Sequence, residues 1–166
     1  LYKLELELDR ASFQLLFDGL DDAKAPTEFV RYIRREVDAT NLRTALKLRS
    51  AGASPSDELF ISVCKEITRG LFDSIVNDRG SGTIQGLAGT SFASAAEASS
   101  LAQAEDAIRN VLGQNARRIS ADPLDIGVVV NFLRMKETEA AKLRLLGRGK
   151  FYNVPRDRLA KELGNG

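Results

Sequence analysis

Two acids and an arginine recur at the same spacing twice in this chain, and they are the residues most able to do chemistry. The first set lies in Glu36-Val37-Asp38-Ala39-Thr40-Asn41-Leu42-Arg43; about one hundred residues later comes Glu137-Thr138-Glu139-Ala140-Ala141-Lys142-Leu143-Arg144. Carboxylates such as Glu36, Asp38, Glu137 and Glu139 can act as general acids or bases once burial or a neighbouring charge shifts their pKa. On a helix, Glu36 and Arg43 lie ~10 Å apart along the axis, as do Glu137 and Arg144, which is too far to bond directly. Each must therefore find a partner elsewhere. A buried ion left unpaired costs several kcal/mol, so pairing with a charge on another helix would fix how the helices pack. The duplication favours that structural reading, because an active site is normally used once.

Other candidate sites have plainer readings. Gly80-Ser81-Gly82-Thr83-Ile84-Gln85-Gly86 has neither the G-x-G-x-x-G spacing nor the lysine of a phosphate loop, and no strand precedes it. It reads as a mobile loop between domains. Cys64 is the one cysteine and there is no histidine, so neither a Cys-His dyad nor a disulfide framework is available. Set among apolar residues, Cys64 reads as a small core residue. Arg117-Arg118 and Arg148-Gly149-Lys150 are short basic clusters that suit helix C-termini. With 24 Lys and Arg against 23 Asp and Glu, the net charge of +1 provides no broad field for nucleic acid or an acidic membrane. No apolar run approaches the ~20 residues that span a bilayer, and no metal or cofactor motif is present. A lone thiol suits a reducing compartment.

The elements that must position these residues read as helices nearly throughout. Asp9 is placed as an N-cap for Ala11–Leu20, with Phe13, Leu16, Phe17 and Leu20 along one face. A long helix follows from Thr27 to Ala51, stopped by Gly52. Ser54-Pro55 predicts the start of a helix reaching Asn77. After the Gly-rich stretch, a helix is predicted over Ala95–Ser120, a longer one from Pro123 to Arg148, and a short one after Val154-Pro155. Ile126, Val129, Val130, Leu133 and Ala140 form an apolar stripe with Glu137 and Arg144 in its middle; Phe29, Tyr32, Ile33 and Thr40 share a face with Glu36 and Arg43. The fold class is all-α, with repeated bundle domains of long antiparallel helices over residues 1–80 and 95–166 joined by the Gly/Ser-rich loop 81–94. Pro55, Asp57 and Leu59, answered by Pro155, Asp157 and Leu159, extend the repeat.

These residues carry a resemblance. The double motif, and above all Phe132-Leu133-Arg134-Met135-Lys136-Glu137-Thr138-Glu139 through Leu143-Arg144-Leu145-Leu146-Gly147-Arg148-Gly149-Lys150, resembles the C subunits of the A-type/V-type rotary ATPases (ATP synthases), the family that includes the d subunit of the vacuolar ATPase. Leu8-Asp9-Arg10-Ala11-Ser12-Phe13 is similar to the family's Asp-Arg-Ala-aromatic-Phe pattern, with Ser12 replacing the aromatic. The resemblance implies three similar helical domains arranged as a funnel, of which this chain would hold the last two. It starts without a Met and in mid-pattern, so a preceding domain is expected. The resemblance also implies a non-catalytic rotor protein on the cytoplasmic face of a membrane, linking the central stalk to the proteolipid ring and transmitting torque for proton or sodium transport, with no cofactor. Glu36, Arg43, Glu137 and Arg144 would be its structural charge pairs. The other readings are a helical adaptor with other soluble partners, an enzyme using the repeated acids and, far behind, a nucleic-acid binder.

Overall fold

Helical periodicity sets the architecture, and side-chain capture of backbone groups decides where the helices stop. The computed structural model of the chain describes residues 2–78 and 84–164. Its helices are α1 (Tyr2–Asp22), α2 (Thr27–Ala51), α3 (Arg69–Asn77), α4 (Leu101–Ile119), α5 (Gly127–Phe151) and α6 (Arg156–Gly164), with short 3-10 turns at Asp57–Leu59, Gln85–Leu87 and Ala93–Ala95. No strand occurs among the described residues, so the fold is all-α. The two duplicated segments lie on α2 and α5, each of 25 residues. The chain forms two compact units, Leu1–Leu112 and Gly113–Gly166.

In the first unit α2 is the organising element. It closes where the sequence anticipates: Gly52 takes the left-handed conformation (φ 66°), its N–H donating to Arg49 O at 3.1 Å while that of Ala53 donates to Leu48 O at 3.0 Å. This Schellman closure satisfies carbonyls that the helix end would otherwise leave unpaired. Leu42 and Ala45 of α2, Phe72 and Ile75 of α3, and Ile108 and Leu112 of α4 are buried in one core. Burying a side chain as large as Leu, Ile or Phe contributes roughly 1.5–3 kcal/mol. A second cluster sets Phe17 and Leu20 of α1 with Val37 of α2 and Ile61.

Several predicted helix starts move, each for a visible reason. After Pro55 the chain makes only the 3-10 turn Asp57–Leu59 and becomes α-helical at Arg69, because α2 captures the backbone of residues 61–67; Thr68 then caps α3, accepting from the Leu71 N–H at 3.4 Å. Helix α4 begins at Leu101 and not at Ala95, since the Ser100 hydroxyl accepts from the Gln103 N–H at 3.2 Å, while Ala95 and Ala96 turn into the core. Helix α5 begins at Gly127 and not at Pro123: the Asp122 carboxylate accepts from the Leu124 N–H at 2.9 Å and holds a turn ahead of it. Asp9 starts no helix, for α1 runs on from Tyr2; its side chain lies outside the described residues. So do Gly80 and Gly82 of the Gly-rich stretch, with the rest of residues 79–83. From Ile84 onward that stretch is packed, with Ile84, Leu87 and Phe92 buried in the first unit's core.

In the second unit glycine permits close approach at two points. A Cβ on Gly127 would stand 1.9 Å from Ile119 O, and one on Gly149 would stand 2.3 Å from Leu159 Cδ2. The latter brings α6 against α5, just after the predicted Pro155 start. Among the described residues no helix is long and apolar enough to cross a membrane.

Candidate functional site: the repeated acids

Of the four acids singled out by spacing, Asp38 is the one the fold encloses, at 1% exposure. Its Oδ1 accepts the N–H groups of Lys65 at 3.0 Å, Glu66 at 2.9 Å and Ile67 at 2.8 Å. Burial pushes its carboxyl above the usual range; the three N–H donors pull the other way and the nearby Glu66 charge adds to the push, with the net shift upward. One turn along α2, Asn41 donates to Ile61 O at 2.9 Å and accepts from the Ile61 N–H at 3.0 Å. Asp38 and Asn41 together hold residues 61–67 in a non-helical path.

Glu66, presented by that path, reaches outward. Its carboxylate accepts from the Ser91 N–H at 2.6 Å and the Ser91 hydroxyl at 3.0 Å, and pairs with Arg35 at 3.2 Å. Burial pushes Glu66 up, but the bonds from Ser91 and Arg35 outweigh it and hold the carboxyl below its usual value. Glu36 is half-buried and accepts from the Tyr32 hydroxyl at 2.5 Å on its own helix; Arg43 is also half-buried.

On α5 the repeated residues sit differently. Glu137 is exposed and pairs with Arg134 at 2.6 Å, Glu139 pairs with Lys136 at 2.7 Å, both within α5, and Arg144 is exposed. The stripe expected as a core face is largely uncovered, with Ile126, Val129 and Leu133 all exposed. Cys64 lies in the captured segment and not in a helix, half-buried beside the second cluster. Burial and the Asp38 charge push its thiol up, which disfavours the nucleophilic thiolate.

The first unit also holds a cavity of about 580 Å³ whose lining includes Arg10, Asp57, Phe60 and Arg69. Its cations are committed to the protein. Arg69 pairs with Asp57 at 2.6 Å and Asp73 at 2.9 Å and lies over the Phe60 and Phe72 rings; Arg10 donates to the carbonyls of Asp57 and Phe60. Sequence spacing singled out neither Asn41, Glu66 nor Arg69. The available signal was Asp38 and Asn41, two polar residues three apart on a face otherwise carrying Leu42 and Ala45.

The sequence profile of the ATP synthase (C/AC39) subunit family matches residues 1–162. The chain belongs to that family. Among curated relatives, the C subunit of the V-type ATP synthase of Thermus thermophilus is 33% identical over 132 residues, covering 80% of this chain and 40% of the relative. That of Deinococcus radiodurans is 34% identical over 165 residues, covering 98% of this chain and 43% of the relative. The C subunit of the A-type ATP synthase of Halorubrum lacusprofundi is 26% identical over 172 residues, covering 98% and 49%. This C/AC39 chain thus spans less than half the length of each. Its enclosed acid serves to hold backbone, and the clamp fixes the path between α2 and α3.

Proposed function

We propose that this chain is part of a non-catalytic rotor protein that links the soluble central stalk to the membrane proteolipid ring of an A/V-type ATP synthase, on the cytoplasmic face, and passes torque between them. The observation that carries the reading is the C/AC39 match over residues 1–162. The geometry supports it. The acids that could serve catalysis are engaged in structural bonds: Asp38 with three backbone N–H groups, Glu36 with Tyr32, Glu137 with Arg134 and Glu139 with Lys136. In this reading Glu36, Arg43, Glu137 and Arg144 serve packing and register. A torque-bearing body gains from 25-residue helices and from loops clamped to them.

The test is binding of the protein to the isolated central stalk and to the detergent-solubilised proteolipid ring of the same source. Saturable binding to both supports a coupler. Binding to neither overturns the reading and leaves a helical adaptor for other soluble partners.

A further inference from the structure

Arg10 of α1 and Asn41 of α2 grip neighbouring residues of the captured segment from two different helices. The Arg10 guanidinium donates to the carbonyls of Asp57 and, at 2.9 Å, of Phe60. Asn41 engages both backbone groups of Ile61, the next residue, and Asp38 accepts the N–H groups of Lys65, Glu66 and Ile67. A segment without regular structure must satisfy its buried backbone groups from outside itself. Here a cation on α1 supplies donors for the carbonyls, while an acid and an amide on α2 accept the N–H groups.

Helix α1 is held differently along its length. Near its C-terminal end Phe17 and Leu20 pack with Val37 of α2, and the Arg34 guanidinium lies 5.9 Å from the centre of the Phe17 ring. About two turns earlier, Glu7, Arg10 and Gln14 look onto residues 57–63 across the cavity of about 580 Å³. A cavity on this face leaves less apolar packing to hold it, so attachment falls on Arg10. The Arg10 pair with Glu7, at 3.3 Å, lies within α1 and ties it to nothing else. Short helices without tertiary support are marginal in water, so this stretch depends on that tie. We propose that residues 57–67 act as a relay: Arg10 latches the outer half of α1 to them, and the latch holds only while Asn41 and Asp38 keep Phe60 and Ile61 in place. The order of α1 is thereby coupled to the clamp on α2. Within Asp9-Arg10-Ala11-Ser12-Phe13, Arg10 is then the latch, and Phe13 packs against the second cluster beside it. The latch itself does not titrate, because the guanidinium stays charged and its acceptors are carbonyls. The inference is independent of the stalk and ring contacts.

The experiment is amide exchange in the intact protein, read at residues 7–14 of α1, with Ile108 and Leu112 in the core of α4 reporting global opening. Arg10→Ala should speed exchange at residues 7–14 by at least ~10-fold, a loss of about 1.4 kcal/mol of protection, and leave the α4 amides much slower. Arg10→Lys, which keeps one donor group, should give a smaller increase. Asn41→Ala should also speed exchange at residues 7–14, although Asn41 does not line the cavity between them and the segment. The double variant should exchange there no faster than Arg10→Ala alone, since coupled residues are not additive. Unchanged α1 exchange in Arg10→Ala, or an equal rise at Ile108 and Leu112, overturns the latch. Unchanged α1 exchange in Asn41→Ala, or increases that multiply in the double variant, overturns the relay.

Discussion

Asp38→Ala is the sharpest probe of how α2 holds the captured segment. It removes the acceptor for three N–H groups at 2.8–3.0 Å. The Ile67 N–H is buried, and leaving it unpaired costs about 1–3 kcal/mol; the Lys65 and Glu66 N–H groups are part-buried and open to water, so each loses about 0.5–1.5 kcal/mol. Removing the carboxylate also removes its desolvation penalty, the leading cause of its raised pKa, which offsets part of the sum. A net loss of about 2–4 kcal/mol is expected, read as a drop in Tm of ~8–16 °C at ~4 °C per kcal/mol. Asp38→Asn keeps the acceptor oxygen and should lose only about 1 kcal/mol. The pH dependence follows from the direction of the shift. Because folding raises the Asp38 pKa, its contribution is full below the unfolded value, about 4, and is lost as pH rises through the folded value. The wild-type protein should therefore gain on Asp38→Asn as pH falls from neutral. Urea titrations at neutral and acid pH measure this, with amide exchange at Lys65, Glu66 and Ile67 as the local readout. The reasoning is refuted if Asp38→Asn loses as much as Asp38→Ala, or if the three amides exchange equally fast in both variants.

Three further outcomes are expected. Asn41→Ala leaves the Ile61 N–H and C=O unpaired in a buried site and should cost about 2–4 kcal/mol, read by urea midpoint and faster Ile61 amide exchange. Gly127→Ala sets a Cβ against the Ile119 carbonyl oxygen and should lower the melting temperature of the second unit, whereas Gly113→Ala meets nothing within 4 Å in α4 and should raise stability by about 0.5–1 kcal/mol. Glu66→Gln weakens the tie to Ser91 and Arg35 and should cost about 1–2 kcal/mol at neutral pH. Since the Glu66 pKa is lowered, its contribution is present above the unfolded value and lost as pH falls through the folded one; the variant should lack that acid-side loss in paired urea titrations.

Helix ends set by local chemistry were legible in the sequence, and those set by distant side chains were not. Gly52 closes α2 because the left-handed residue is the next one along, and Pro155 precedes α6 in the same way. Nothing within 55–68 announces that its backbone bonds belong to Asp38 and Asn41, twenty or more positions away; Ile61, Val63 and Ile67 keep apolar spacing without being helical there. The stripe on α5 failed for a different reason. Apolar spacing reports that a face is meant to be covered, and it carries no information on whether the covering chain is within the same stretch of sequence. Tyr32 and Leu133 occupy equivalent places in the repeat, and one is buried while the other is more than half exposed. The difference lies in what packs on the helix. For that reason the repeat, which looked like evidence for a duplicated charge pair, sets its two copies in different surroundings: Glu36 and Arg43 are half-buried on α2, while Glu137 and Arg144 are exposed on α5.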